Sequence, residues 1–233
     1  MTESKIELSV VLPSYREEEN LRNLLPRLLQ TLGTLNVAWE VLVVDTLAQM
    51  DRTKEVCEQQ GVRYVARRGG NYFGCAVRTG IDEARGDFVL FMDADGSHSP
   101  EFIPELFEFR NDFDVVIASR YVENGQTENS FSLVLMSRIL NWTYSVLLDL
   151  PCKDVSNSFK LYRSAPLKSL KLNCNNFDIV EEVLFKLRRE IPALRIKEVP
   201  FFFRKRLFGE TKRNLVVFIV TYIFTIIKLR LKP

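Results

Sequence analysis

Two carboxylates one residue apart, Asp93 and Asp95, follow the apolar run Phe88 to Met92 and precede Gly96, Ser97, His98, Ser99 and Pro100. Such a run reads as a buried strand, and the Gly, Ser and Pro behind it as a turn. Acids in that place stand at the carboxyl edge of an open α/β sheet, where such folds bind ligands. Their hard oxygens suit Mg²⁺ or Mn²⁺, ions that commonly arrive on substrate phosphates. Three other readings compete. The acids are solvated members of an ordinary loop, or the loop binds calcium, or Asp93 is a phosphatase nucleophile with Asp95 as its general acid. A calcium loop of the EF-hand type needs Gly at its sixth position and Glu at its twelfth. Here Gly96 is fourth and the twelfth residue is Pro104. A phosphatase would carry its motif early, whereas three strand–helix units precede this one.

Those units come from hydrophobic periodicity. Leu8 to Leu12 reads as a strand closed by Pro13, Ser14 and Tyr15. The acids Glu17, Glu18 and Glu19 then open an amphipathic helix with Leu21, Leu24, Leu25, Leu28, Leu29 and Leu32 on one side. Acids in a first helical turn suit the helix dipole, which accounts for Glu18 and Glu19 without any chemistry. Val41 to Val44 is a second strand ending at Asp45, followed by a helix over Thr53–Gln60 and a strand over Val62–Ala66. Arg67 to Asn71 is a glycine-rich turn, and Gly74–Ala84 a helix leading to the Phe88 strand. The alternation predicts a Rossmann-like α/β fold, a mostly parallel sheet with helices on both faces.

Asp114 to Ala118 adds a strand that runs into Ser119, Arg120 and Tyr121. Beyond it the chain changes character. Residues 122–132 read as a mobile polar loop, and Leu133–Leu148 as a helix with Arg138, Asn141, Ser145 and Asp149 on one stripe. Ser158–Tyr162 reads as a strand, Phe177–Arg189 as a helix and Ile196–Phe203 as extended chain. Glu181 and Glu182 offer a general base on that helix, but a solvated face is the preferred reading.

The 233 residues carry a formal charge of +2, which gives no ground for a nucleic-acid partner. Cys57, Cys75, Cys152 and Cys174 form no Cys-x-x-Cys pair, and with no apolar leader they read as reduced thiols of a cytosol-facing protein. His98 is the only histidine, so Ser-His-Asp and Cys-His mechanisms are set aside. The chain divides at residue 213. Behind it Leu215–Ile227 is free of charge, too short to span a bilayer at the ~20 residues required. Asn214, Thr221, Thr225, Lys228 and Lys232 form a thin polar stripe on it, which fits a helix lying in a membrane interface. The alternative is an ordinary C-terminal helix packed on the core.

Four features stand together: Pro13-Ser14-Tyr15-Arg16-Glu17, Asp45, Asp93-Ala94-Asp95, and the run from Arg206 through Phe208-Gly209-Glu210-Thr211 to Lys212. With Ala76-Val77-Arg78-Thr79-Gly80 and Ser119-Arg120-Tyr121 in the same order, the chain resembles the family 2 glycosyltransferases of GT-A fold. Within them it is most similar to the dolichol-phosphate mannose synthases and related polyprenyl-phosphate glycosyltransferases. The resemblance implies an inverting enzyme that moves a hexose, mannose foremost, from a nucleotide-diphosphate sugar to a polyprenyl phosphate. By the same token Pro13, Tyr15 and Glu17, with Val44 and Asp45, hold the base and ribose. Asp93 and Ala94 support the diphosphate, Asp95 and Ser97 meet Mg²⁺ or Mn²⁺, and Asp93 and Asp95 form the catalytic pair. Arg120, Arg206 and Lys212 bind phosphates, and Ser137 with Arg138 and Asn141 matches an acceptor-side Ser-Arg-x-x-Asn pattern. For Arg78 and Arg120 an ion-pair role is the alternative.

The chain also departs from the family. An Asp-Asp pair usual after strand two is Asp45-Thr46 here, and no basic residue stands among Phe131 to Met136. The membrane-spanning helices of some relatives are absent. These departures lead to an expectation of peripheral binding on the cytoplasmic side of a membrane, with a partner subunit as a further anchor. They also motivate a rival reading, a non-catalytic membrane-associated protein on a transferase scaffold. The expected chemistry needs no histidine. A lipid monophosphate has a second pKa near ~6 and is already nucleophilic at neutral pH. The departing nucleoside diphosphate is what has to be stabilised, by a divalent ion and cationic side chains.

Overall fold

The computed structural model describes residues 5–204 together with 225, 226, 229 and 230. In chain order the elements are β1 (Leu8–Pro13), α1 (Glu18–Leu32), β2 (Trp39–Asp45), α2 (Thr53–Gln60), β3 (Arg63–Ala66), α3 (Phe73–Glu83) and β4 (Phe88–Phe91). Then follow α4 (Ile103–Glu108), β5 (Val115–Ser119), β6 (Gln126–Thr127), α5 (Phe131–Leu147), β7 (Lys160–Arg163), α6 (Ser164–Ser169), α7 (Ile179–Glu190), β8 (Ile196–Pro200) and β9 (Phe202–Phe203). Seven strands form one sheet in the order β3-β2-β1-β4-β7-β5-β8, and β6 pairs with β9 in a separate ribbon.

The α/β fold expected from the periodicity is the one observed. β1 pairs in parallel with β2 and β4, β2 with β3, and β5 with β8. Only β7 runs against its neighbours, antiparallel to both β4 and β5. Period-2 patterning marks a strand but not its direction, so this reversal was not legible. The extended stretch Ile196–Phe203 divides into β8 and β9, and the loop 122–132 contains β6. The short helices α4 and α6 had no clear periodic signature.

Strict alternation along the strands builds two cores. Val11, Leu42, Val44, Val89, Phe91, Val115 and Ile117 face one layer, made by α3, α5, α6 and α7. Leu8, Val10, Leu12, Val41, Val43, Leu90 and Val116 face the other, made by α1, α2 and α4. Covering both faces is what permits near-continuous apolar strands.

One helix in the second half differs from expectation in orientation. Glu181 and Glu182 do not lie on a solvated face of α7; both are buried. Glu182 accepts hydrogen bonds from the backbone N–H groups of Asn173 and Cys174, at 2.8 Å for the latter, and pairs with Lys186 at 2.9 Å. The polar stripe of α5 is divided, with Asn141 fully buried and Ser145 half-buried while Arg138 and Asp149 are exposed. Of the C-terminal stretch, Leu229 is buried in the core and Ile226 packs against it. Thr225 donates to Asp178 at 2.9 Å and Arg230 to the Leu147 carbonyl at 2.6 Å. These four residues pack on the core, and the rest of that stretch lies outside the described residues.

The first turn of α3 is locked against the chain before α7. Gly74 donates to the Asn175 carbonyl at 2.7 Å, and a Cβ on it would lie 2.8 Å from Asn175 Cα. Gly74→Ala is therefore expected to cost about 1–3 kcal/mol of stability through overpacking. The check is a lower urea midpoint at unchanged slope.

Candidate active site

The carboxyl ends of β1, β2 and β4 meet at one edge of the sheet. Their register puts Pro13 beside Val44 and Val11 beside Phe91, so Tyr15, Asp45 and Asp93 all follow from the same rim. Past Pro13 the chain turns sharply through Arg16, whose φ of 57° is in the left-handed region that a side chain enters at a cost. Tyr15 is exposed, and Glu17 accepts from the Asn20 amide at 2.6 Å. Asp51 then joins the starts of two helices, accepting from the N–H of Glu18 at 3.1 Å and of Thr53 at 3.0 Å.

The centre of this rim is Arg67, which the spacing marked only as part of a turn. Its buried guanidinium donates to the carbonyls of Asp45 (3.0 Å), Asn71 (3.1 Å), Tyr72 (3.2 Å) and Ser14. Three loops are thereby tied through their backbones. Val44 spends its side chain in the core and its carbonyl on the Ser14 N–H at 2.9 Å. Asp45 is buried, and one of its oxygens receives the Tyr64 hydroxyl at 3.3 Å. Burial, with the nearby Asp51 carboxylate, pushes the Asp45 pKa above its ordinary 3.8 against the pull of Arg67. Burial and the Asp45 charge in turn push the Tyr64 phenol up to about 12.

After β4 the two acids are held differently. The Asp93 N–H donates to His98 Nδ1 at 3.0 Å, and its carboxylate accepts from the Ser158 hydroxyl at 2.8 Å. Asp95 accepts from both the N–H (3.0 Å) and the hydroxyl (2.6 Å) of Ser97. Gly96, at φ 80°, supplies the left-handed step between them. Ala94 is buried. His98 is buried and stacks on the Phe159 ring, centroids 4.8 Å apart. Burial holds its pKa below the ordinary range, and an acceptor Nδ1 places the proton of the neutral ring on Nε2. It therefore positions Asp93 and carries no charge.

No group of three or more His, Cys, Asp and Glu that could hold a metal ion is found among the described residues. Two carboxylates instead fit an ion that keeps waters and takes substrate phosphates as its other ligands. An apolar hollow lined by Pro13, Phe73, Phe91, Tyr162 and Val183 opens beside Asp93.

The residues expected on the acceptor side form a connected network. Arg120 pairs with buried Asp154 through two nitrogens, at 2.8 and 2.7 Å, and its N–H reaches the same carboxylate at 2.8 Å. That is the ion-pair alternative raised above. Ser156 receives Arg120 at 3.2 Å and the Asn141 amide at 3.0 Å, and Asn141 also donates to the Ser137 carbonyl at 2.8 Å. Glu198 completes the frame, accepting from Ser119 (2.7 Å) and the N–H of Asp154 (2.9 Å). Arg138 is exposed, with its guanidinium 5.5 Å from the centre of the Tyr121 ring. Arg78 is structural, donating to the Cys174 carbonyl and, at 2.8 Å, to Asn175. Arg206 and Lys212 lie outside the described residues. Ser158, Asp154, Ser156 and Glu198 escaped the sequence reading because lone polar residues at loop ends carry no spacing signal.

The profile described as glycosyl transferase family 2 matches residues 9–171. Over 215 residues the chain is 35% identical to a dolichol-phosphate mannosyltransferase of Pyrococcus furiosus, covering 89% of this chain and 59% of that protein. It therefore spans less than two thirds of that relative's length. A dolichol-phosphate mannosyltransferase of Saccharomyces cerevisiae is 30% identical over 218 residues, covering 89% of this chain and 81% of the yeast protein. In fold the chain is similar to the crystal structure of glucosyl-3-phosphoglycerate synthase from Mycobacterium tuberculosis in complex with Mg²⁺ and uridine diphosphate. The TM-score is 0.73 at 19% identity, over 98% of this chain and 80% of that one.

The raised pKa of Asp45 has a measurable sign. A carboxyl raised in the folded state stabilises below its unfolded value, and that contribution is lost as pH rises through the folded value. Asp45→Asn should match or exceed the parent in stability at neutral pH. The difference should disappear as pH falls below about 4, as read from urea midpoints across pH.

Proposed function

The chain belongs to glycosyl transferase family 2, and on that footing we propose that it transfers a hexose, mannose foremost, from a nucleotide-diphosphate sugar to a polyprenyl phosphate. The observation that carries this reading is the placement of Asp93 and Asp95 on the same sheet edge as Pro13, Tyr15 and Asp45. The names of the Pyrococcus and yeast relatives support the choice of sugar and acceptor.

Tyr15 and Asp45 take the base and ribose on an edge that Arg67 has already made rigid. Glu17 stands beside Tyr15 in the same turn. Asp95, oriented by Ser97, holds Mg²⁺ or Mn²⁺ with help from Asp93. When bound, the ion stabilises negative charge on the departing diphosphate. Asp93 is kept in register by His98 and Ser158. Ser137 and Arg138 stand on the acceptor side, with Arg206 and Lys212 as further phosphate ligands. The acceptor phosphate attacks the anomeric carbon from the face opposite the leaving group, which inverts its configuration. Glu182, already spent on backbone N–H groups, is not needed as a base. The enzyme works peripherally at the cytoplasmic face of a membrane, with an anchoring subunit as a partner. No helix among the described residues is long and apolar enough to cross one.

A transfer assay with purified protein, polyprenyl phosphate, Mg²⁺ or Mn²⁺ and a panel of sugar nucleotides tests this. Lipid-linked sugar should form only with metal, and Asp95→Asn should lower the rate on the order of 10²–10³-fold, as loss of one electrostatic partner of a developing charge does. If no donor reacts and calorimetry detects no nucleotide binding, the scaffold is non-catalytic and the proposal falls.

A further inference from the structure

Lys160 opens β7 and is fully buried. Its backbone stands between Phe91 of β4 and Ile117 of β5. Asp93 follows two residues after the one, and Arg120 three residues after the other. The ammonium turns back on the chain before it, donating to the carbonyls of Val155, at 2.9 Å, and Asn157. Residues 154–158 belong to no helix or strand, so no ladder takes those carbonyls. A lysine head, with three N–H groups, can take more than one of them. The carboxylates of Asp154 and Glu181 favour its charge there, and Arg120 opposes it.

The segment held in this way, Asp154–Ser158, sends side chains to both parts of the site. Asp154 and Ser156 receive the Arg120 guanidinium at 2.7 and 3.2 Å. Ser158 donates to the Asp93 carboxylate at 2.8 Å. Between them the Asn157 amide is fastened to the Ala118 carbonyl. Asp93 and Arg120 are thus held by residues only two and four positions apart.

We propose that Lys160 is a positioning residue, fixing the segment Asp154–Ser158 so that Asp93 and Arg120 are held in one register. The proposal rests on the transferase reading, in which Asp93 belongs to the donor and its metal and the Arg120 network to the acceptor. A displacement needs its two reactants aligned, and a shift of about 1 Å between them costs on the order of 10²-fold in rate. A lysine that only filled the interior would change the folded fraction and leave affinities alone. A lysine that sets this register acts on donor and acceptor together.

Hydrogen exchange and calorimetry on the full chain test this. In Lys160→Met the N–H groups of Asp154, Ser156 and Arg120 should exchange at least about tenfold faster, with those of β1 and β2 unchanged. Binding of Mn²⁺ with GDP or UDP should weaken roughly tenfold, as loss of one hydrogen bond to a charged group does. Ser158→Ala should weaken it similarly and the double variant no further, because both act through Asp93. Ser156→Ala should leave nucleotide binding unchanged and raise only the KM for polyprenyl phosphate. Lys160→Gln keeps an N–H donor without the charge and serves if the methionine variant does not fold, with losses of about threefold. Unchanged exchange and affinity in a folded variant would overturn the proposal. So would exchange that rises equally in β1 and β2, or full additivity with Ser158→Ala. If the unaltered protein binds neither nucleotide, the transferase reading fails, and the exchange pattern alone decides whether Lys160 holds the segment.

Discussion

A parallel sheet ends, at its carboxyl edge, in a row of carbonyls that the ladder no longer satisfies. This chain meets that constraint with a single buried cation. Arg67 takes the carbonyls of Ser14, Asp45, Asn71 and Tyr72 together. Burial disfavours its charge while the Asp45 carboxylate favours it, and the same two influences act on Asp45 with the roles exchanged. The guanidinium is tolerated in the interior because these carbonyls take its hydrogen bonds. The outcome is an edge whose loops are set before any ligand arrives, which reduces what binding must spend on ordering them.

The second half of the molecule uses the same device with more members. Asp154, Glu198, Lys160, Arg120 and Asn141 form a polar layer beneath the loop that follows β5. Lys160 is fully buried, donating to the carbonyls of Val155 and Asn157, and burial brings its pKa down to about 8. A layer of this kind draws the polar side of α5 inward. Its apolar side is left outside as a consequence of how the interior is satisfied. The exposure on α5 and the buried pair Arg120–Asp154 are two ends of one arrangement.

Much of the first 118 residues was legible because alternating strands and helices with 3.6-residue leucine spacing leave direct marks on a sequence. The positions of Pro13, Asp45, Asp93 and Asp95 at strand ends were legible for the same reason. Arg67 was not, since its partners are backbone carbonyls and carry no side-chain signature. His98 stood in plain view but as a loop residue, because its aromatic partners Phe159, Phe201 and Phe203 lie far along the chain. Glu181 and Glu182 were misplaced by a sound rule. Acids on a helix usually face water, and here Glu182 is turned onto the N–H groups of Asn173 and Cys174.

The reversed strand β7 has a bearing on how the protein is made. Phe88 of β4 pairs with Arg163, about seventy-five residues later in the chain. A ribosome adding about 5–20 residues per second leaves one side of β4 uncovered for several seconds, a bare edge of hydrophobic sheet. The first βα units can close on themselves in that interval, but the site cannot. Ser158, which holds Asp93 from the entrance of β7, is among the later residues to arrive. The amino-terminal half is therefore not a separable nucleotide module. Cutting, permuting or fusing the chain between β5 and β7 would detach the sheet from the strand that closes this rim.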